Sequence, residues 1–245
     1  KKIVLELQSL GVKNLTLFGG EPFMRRDVWD FMIFLQSRQM SFQVNTNATL
    51  LEESCARRLR ELGAGLVTAS LDGSSEEIHD ALRGPGNFKR AVAGIQALVH
   101  QKIPVLISAI ITHLNAHDLE AMVKKALELG VRGIRFNEIH FSGNAGCFEK
   151  EMGLSKEERK KVFEDILKLK TEFGDFVTGS WPDVCSLIQK REEENRLPPP
   201  LLVVPPCGAG MGSLCIRPDG GVTPCEILWD EVCGNLNESS LKDIY

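Results

Sequence analysis

Residues 12–23 read VKNLTLFGGEPF, a short apolar run that ends in two glycines, a glutamate and a proline. The β-branched and apolar residues up to Phe18 predict a buried strand, and residues 27–40 then carry apolar side chains at helical spacing. This alternation recurs, with predicted strands at 42–45, 66–70, 105–111 and 133–139 and predicted helices at 51–62, 88–102 and 116–129. Five apolar strands alternating with helices predict an α/β protein whose parallel sheet is covered on both faces, either doubly wound or a barrel, open or closed.

Composition and charge exclude several classes of protein. The chain has 245 residues, with 43% hydrophobic and 25% charged content and a net charge of -4, which is typical of a globular protein. Nothing indicates a nucleic acid or a membrane as partner, and the apolar runs are far shorter than the roughly 20 residues needed to cross a bilayer. Residues 1–11 form a helical pattern without initiator Met or N-cap, which predicts a fragment cut inside its first helix.

Polar residues follow each predicted strand, at the edge of a parallel sheet where ligands gather. After the first strand, Gly19 and Gly20 allow close approach of the backbone, and Pro22 removes an amide donor. The loop therefore offers carbonyl oxygens and the carboxylate of Glu21, which suit a cation such as an ammonium group. A tight turn with Glu21 on the surface is the alternative, and spacing alone leaves both open.

The segment after the third strand, residues 72–84, mixes structural and chemical signals. Ser74 and Glu77 form a capping-box pattern, and Arg83 before a glycine suits the C-terminal end of a short helix. Four polar residues remain for a functional interpretation: Ser70, Asp72, His79 and Asp80.

Taken in order, these motifs resemble those of the radical S-adenosylmethionine (SAM) enzymes. The series comprises FGGEPF at 18–23, NTN at 45–47, SLDG at 70–73 and HDALRGPGNF at 79–88. The resemblance covers most of the chain and implies a partial (β/α)6 TIM-like barrel, of which five strands are predicted here. It also implies SAM as cosubstrate and a 4Fe-4S cluster that reduces it, held by a C-x3-C-x2-C loop that would precede the first helix.

The resemblance assigns individual residues to SAM. Gly19, Gly20, Glu21 and Pro22 match the loop that holds the amino group of the methionine moiety. Asn47 matches a residue that lines the same cleft.

Further matches follow the later strands. Ser70 matches a serine that contacts SAM, and Asp72 is its neighbour in the motif. Arg83 matches an arginine that approaches the SAM carboxylate, and Ile139 falls where the last strand packs against adenine. No catalytic acid or base is assigned.

The cysteines cluster near the end of the chain. Of seven, Cys207, Cys215, Cys225 and Cys233 lie in one short segment, which indicates metal ligation in a reducing cytosol rather than disulfides. The Pro-Asp-Gly-Gly turn at 218–221 predicts a β-hairpin that contains Cys215.

This segment resembles the start of a SPASM or twitch extension, in which Cys207, Gly220 and Cys225 match the pattern. The resemblance implies an auxiliary 4Fe-4S cluster on Cys207 and Cys225, with further ligands after Tyr245. Cys215 and Cys233 are the less favoured ligands and are expected to be packed thiols. A zinc site made from all four cysteines is the alternative, although their spacing lacks close C-x2-C pairs.

The expected organisation is a barrel at 1–145, a helical connector at 146–204 with helices at 155–173 and 183–195, and an incomplete auxiliary-cluster segment at 205–245. The resemblance implies a cytoplasmic enzyme that cleaves SAM to a 5′-deoxyadenosyl radical and takes hydrogen from a peptide or small molecule. An electron donor such as flavodoxin or ferredoxin is implied as partner. A non-catalytic SAM- or metal-binding module is the alternative. An aldolase is disfavoured because no lysine follows the strands.

Overall fold

The computed structural model describes residues 1–141, 143–180 and 209–245, which form two compact units. The first unit comprises residues 11–139 and 148–180, and the second comprises residues 2–10, 140–141, 143–147 and 209–245. The helix predicted at 183–195 and Cys207 lie outside the described residues. No helix in the described ranges combines the length and apolar character that a membrane span requires.

A six-stranded parallel sheet forms the centre of the first unit, with its strands in chain order. They are β1 (Asn14–Leu17), β2 (Ser41–Thr46), β3 (Val67–Ser70), β4 (Val105–Ile111), β5 (Gly133–Glu138) and β6 (Val177–Ser180). The predicted parallel α/β sheet is confirmed. β6 was not predicted, because a strand of four residues that reads Val-Thr-Gly-Ser carries too little apolar periodicity to be recognised.

Helices join the strands and flank the sheet. They are α2 (Val28–Ser37), α3 (Glu53–Glu61), α4 (Glu76–Arg83), α5 (Asn87–His100), α6 (Leu119–Glu128), α7 (Glu149–Met152) and α8 (Lys156–Phe173). The first helix of the chain, α1 (Lys2–Ser9), belongs to the second unit. The capping box predicted at Ser74 is wrong, because α4 begins after Ser75 without a side-chain cap. A complete capping box does start α8, between Ser155 and Glu158.

Burial alternates along the strands, so the core lies on one side of the sheet. In β4, Val105, Ile107 and Ile111 are buried, whereas Leu106 and Ser108 are only half-buried. The helices of the first unit therefore bury one side of the sheet more fully, whereas the second side is mostly half-buried or exposed among the described residues. The second side, here called the uncovered face, comprises alternate residues of the six strands, starting at Asn14, Ser41, Thr68, Leu106, Gly133 and Thr178.

Backbone packs directly on backbone where α5 meets the loop after β2. A methyl group on Gly94 would lie 2.1 Å from the carbonyl oxygen of Ala48 and 3.2 Å from Cβ of Leu51. Because the nearest atom belongs to the backbone, it cannot move aside cheaply. Glycine is therefore required at this point of α5.

Gly94→Ala is expected to lower the free energy of unfolding by about 1–3 kcal/mol, the usual cost of overpacking a close-packed site. Gly65→Ala is the matched control, since its added methyl would lie 3.5 Å from the Phe42 carbonyl oxygen, an ordinary contact. Urea unfolding of the two variants measures both effects. Equal stabilities would contradict the close packing of α5.

The second unit contains a small antiparallel sheet of β7 (Cys215–Ile216), β8 (Gly221–Thr223) and β9 (Gly234–Asn235). Cys215 pairs with Thr223 across the turn, so the predicted hairpin is confirmed. The chain then enters α9 (Leu241–Ile244), which packs against α1. The carboxylate of Glu6 accepts a hydrogen bond of 2.8 Å from the backbone N–H of Leu241, so α1 is joined to α9 within the second unit.

Candidate functional site

The glycine loop after β1 faces open space. Gly19 has φ +145°, a backbone region that favours glycine, and a side chain at Gly19 or Gly20 would meet no atom within 4 Å. Pro22 then begins a 3-10 turn that extends to Met24. The loop therefore leaves room for a ligand to approach its backbone.

The carboxylate of Glu21 connects this loop to the end of β2. Its Oε1 accepts hydrogen bonds from the Thr46 hydroxyl at 2.7 Å and from the backbone N–H of Phe23 at 3.2 Å, and its Oε2 accepts one from the Asn47 N–H at 2.7 Å. A carboxylate offers roughly four acceptor sites. One acceptor site on Oε2 therefore remains for a further donor. The three hydrogen bonds fix the orientation of the half-buried Glu21 side chain.

The side chain of Asn47 stabilises its own turn. Its Oδ1 accepts hydrogen bonds from the backbone N–H of Thr49 at 2.9 Å and from the Thr49 hydroxyl at 2.8 Å. Thr46 additionally accepts a bond of 3.0 Å from the backbone N–H of Ala48. The NTN motif thus builds a rigid corner that presents the Asn47 amide to Glu21.

Ser70 ends β3 on the uncovered face, one strand away from this corner. The register pairs Thr46 with Ala69, so Ser70 is level with Asn47 at the carboxyl ends of β2 and β3. Its hydroxyl forms no side-chain hydrogen bond with the described residues and remains half-buried.

Asp72 is the centre of a buried network. Its side chain is 2% exposed, and its carboxylate accepts hydrogen bonds from the Arg83 guanidinium and, at 2.8 Å, from the backbone N–H of Ile110. Its carbonyl accepts a bond of 2.8 Å from Asn115, which is fully buried. Arg83 keeps its terminal nitrogens free of partners among the described residues, and its side chain is 36% exposed. Asp72 therefore binds Nε of Arg83 and leaves the two terminal nitrogens of the guanidinium available to a ligand.

His79 and Asp80 are engaged within the protein. Nδ1 of His79 accepts the backbone N–H of Asp72 at 3.0 Å, and burial lowers the pKa of His79 despite the nearby carboxylates of Asp72 and Asp80. The imidazole is therefore neutral near pH 7 with its proton on Nε2. The Asp80 carboxylate accepts the backbone N–H groups of Gly86 and Phe88 at the start of α5. Both residues thus stabilise the backbone on either side of α4, the helix that carries Arg83.

The polar residues after β4 and at the end of β5 form ion pairs with α8, whereas Ile139 is apolar. Ile139 follows β5 and is half-buried. Glu138 lies on the helix side, where its carboxylate pairs with Arg159 at 2.6 Å. His113 pairs with Glu158 at 2.8 Å, and hydrogen bonds from the Ser155 backbone and from His113 lower the pKa of Glu158 to about 2.

Three residues that received no role from the sequence hold this edge together. Thr46 orients Glu21, and Asn115 joins the Asp72 loop to the Ile110 carbonyl at 2.8 Å. Asp118 accepts the backbone N–H and the hydroxyl of Ser74 at 2.6 and 2.7 Å. Thr46 and Asn115 follow predicted strands, so the polar character of strand ends was the available signal for them, whereas Asp118 lies within the helix predicted at 116–129.

The second unit shows why glycine occupies position 220. Gly220 has φ +89°, and a methyl group there would lie 2.7 Å from Nδ2 of Asn237 and 2.8 Å from Oδ1 of Asn235. The hydroxyl of Thr223 donates a hydrogen bond of 2.9 Å to the carbonyl of Cys225. The hairpin thus orders the backbone that carries Cys225.

The described cysteines differ in exposure. Cys215 is 3% exposed within β7, and its burial raises its pKa, whereas Cys225 is half-buried and Cys233 is exposed. No group of three or more potential metal ligands occurs among the described residues. Cys215, Cys225 and Cys233 are all described, and together they do not form such a group.

Comparison with known proteins agrees with this geometry. The model of the radical SAM superfamily matches residues 1–126, which is more than half of the chain. The chain belongs to the radical SAM superfamily. A second model, SPASM, described as an iron-sulfur cluster-binding domain, matches residues 207–245.

Individual relatives point to two kinds of chemistry. The AdoMet-dependent heme synthase of Methanosarcina barkeri is 24% identical over 100% of this chain and 71% of its own length. The sporulation killing factor maturation protein SkfB of Bacillus subtilis is 26% identical over 99% of this chain and 55% of its own length. The crystal structure of Streptococcus suis SuiB bound to precursor peptide SuiA superposes with TM-score 0.76 at 15% identity, covering 99% of this chain and 56% of that one. This last likeness establishes the fold.

The cofactors of this radical SAM protein follow from the two matched domains. The radical SAM domain uses SAM and a 4Fe-4S cluster, and the SPASM domain holds an auxiliary iron-sulfur cluster. Cysteine thiolates are the ligands that such clusters require. Cys225 could take this role, because its backbone is ordered by Thr223 and its thiol is only half-buried, whereas the Cys215 thiol is packed inside the hairpin.

Cys225→Ala is expected to lower the iron and acid-labile sulfide content of the cluster-loaded protein by one auxiliary cluster. Cys215→Ala, which removes a buried thiol from the same hairpin, is expected to leave that content unchanged and to cost only packing. Anaerobic iron and sulfide analysis measures both variants. Loss of the cluster in Cys215→Ala with retention in Cys225→Ala would reverse the assignment.

Proposed function

We propose that this protein is a radical SAM enzyme that modifies a peptide. SAM supplies the 5′-deoxyadenosyl radical when it is bound with the reduced cluster. The chain's own residues bind and orient SAM, and the uncovered face receives the substrate. The proposed setting is the cytoplasm, with a flavodoxin or ferredoxin as electron donor.

One observation carries the SAM assignment: Glu21 is held by Thr46 and Asn47 beside a glycine loop that faces open space. A fixed carboxylate with a spare acceptor site suits an ammonium group such as that of SAM. We propose that Gly19, Gly20, Glu21 and Pro22 take the SAM amino group.

Residues on the later strands would complete this site. Ser70 would contact the bound SAM, and the free nitrogens of Arg83 would face its carboxylate. Ile139 would pack on the adenine. Asn47 and Asp72 would act as positioning residues, because their side-chain oxygens are used inside the protein.

The peptide assignment is supported by the similarity to SkfB, a maturation protein, over nearly the whole chain. It also agrees with the open sheet, whose uncovered face would accept an extended chain. A tetrapyrrole is the second candidate, because the heme synthase matches along the full length of this chain.

The test is substrate-dependent formation of 5′-deoxyadenosine by the cluster-loaded protein under reducing, anaerobic conditions. Short peptides encoded next to its gene are compared with Fe-coproporphyrin III, an iron porphyrin that carries propionate groups. We expect a peptide to raise the rate and to change in mass. Stimulation by the porphyrin alone would reject the peptide proposal, and absence of any SAM cleavage would favour a non-catalytic module.

A further inference from the structure

The uncovered face of the sheet is almost free of charge. Across β1 to β6, its described side chains are neutral except for one, Arg135 in the middle of β5. The flanking residues Ile134 and Phe136 are buried on the helix side, 1% and 0% exposed, so Arg135 projects from the opposite side. A single cation on a neutral polar surface is unusual and calls for a physical explanation.

The guanidinium of Arg135 has no partner in the described part of the chain. The side chain of Arg135 is exposed, whereas the buried carboxylates at the ends of β3 and β5 have their own cations, Arg83 for Asp72 and Arg159 for Glu138. An arginine fork presents five N–H donors in a plane that matches a carboxylate. Within the described ranges, no acid therefore pairs with this donor set.

The position of Arg135 relates it to the proposed SAM site. The register pairs Ser70 with Ser108 and Ser108 with Arg135, so the three residues form one row across neighbouring strands. Two strand spacings place the Cα atoms of Ser70 and Arg135 about 10 Å apart. In the same region, Asn137 donates a hydrogen bond of 2.9 Å to the Ser108 hydroxyl. A substrate that lies beside SAM on this face would reach the guanidinium.

We propose that Arg135 is a substrate-binding residue that anchors a carboxylate of the peptide, from an acidic side chain or the C-terminus. The inference rests on the proposed function and deepens it, because it specifies which peptides the face selects. A bidentate pair with the carboxylate would fix the peptide relative to Ser70 and so determine which atom meets the radical.

The first experiment selects peptides from a displayed random library on the cluster-loaded, SAM-bound protein. Wild type should enrich peptides with acidic groups, and Arg135→Gln should lose that enrichment. Arg135→Lys should keep part of it. Arg132→Gln is the matched control, because Arg132 is exposed just before β5 and its loss changes the net charge equally. A selected acidic peptide should bind roughly tenfold or more weakly to Arg135→Gln, and normally to Arg132→Gln.

The outcomes separate this inference from the proposed function. If peptides are bound and modified but Arg135→Gln selects the same acidic sequences as wild type, the anchor is rejected and the function stands. In a second experiment, Fe-coproporphyrin III is titrated into wild type and Arg135→Gln, because its propionate groups also carry carboxylates. If Arg135→Gln weakens only porphyrin binding, the carboxylate anchor stands and the peptide function fails. If Arg135→Gln binds both the peptides and the porphyrin as wild type does, the proposal that Arg135 anchors a carboxylate is rejected.

Discussion

Glu21→Ala is expected to weaken binding of SAM to the cluster-loaded protein by about 1.5 to 3 kcal/mol, or more than tenfold in affinity. The variant removes the acceptor proposed for the ammonium group of SAM. It also removes the group that ties the glycine loop to Thr46 and Asn47, so the loop loses its fixed position. Equilibrium binding under anaerobic conditions measures the change.

Two further variants separate charge from position. Glu61→Ala removes an exposed acid at the end of α3 and should bind SAM normally. Thr46→Val keeps the Glu21 carboxylate but removes one of its three donors, so we expect an intermediate loss. An affinity for SAM that is the same in Glu21→Ala and wild type would reject the ammonium assignment.

Arg83→Ala is expected to lower the free energy of unfolding by about 3 kcal/mol. The variant leaves the carboxylate of Asp72, 2% exposed, without its cationic partner, and an unpaired buried charge is strongly destabilising. We take the lower end of the usual range because Arg83 itself is 36% exposed to solvent. Denaturant unfolding monitored by circular dichroism gives the value.

An exposed ion pair and a double variant serve as controls. Lys89→Ala breaks a pair with Glu76 whose side chains are 75% and 46% exposed, so it should have little effect on stability. Asp72→Asn combined with Arg83→Ala removes the buried charge and should recover part of the loss. If Arg83→Ala were as stable as Lys89→Ala, Asp72 would not depend on its partner.

Local patterns were sufficient to predict most of the first unit. The strands at β1 to β5 and the helices between them follow from apolar periodicity within single segments of chain. The strand β6 could not be predicted in this way, because four residues are too few to show apolar periodicity. Apolar strands also do not reveal how fully each face of the sheet is covered. Half of the residues in those strands face away from the helices, and only the packed structure distinguishes the two sides.

At the candidate site, too, some features could be predicted from the sequence and others could not. Gly19, Gly20 and Glu21 stand out in the sequence because they directly follow an apolar strand, and Arg83 stands out because it lies in the motif at 79–88. The roles of His79 and Asp80 do not follow from residue type, since a polar residue near a ligand edge can equally brace a loop. Both residues bind backbone N–H groups within the protein.

The sequence by itself determined the alternation of strands and helices, the ordered motifs of the radical SAM superfamily and the hairpin turn at 218–221, because each is a property of one short segment. Only the tertiary structure decided which segments meet. Glu21 bonds to Thr46 and Asn47 across 25 and 26 positions, and Arg135 shares a row with Ser70 through the strand between them. Such contacts depend on strand order and register, which arise from packing of the whole sheet against its helices.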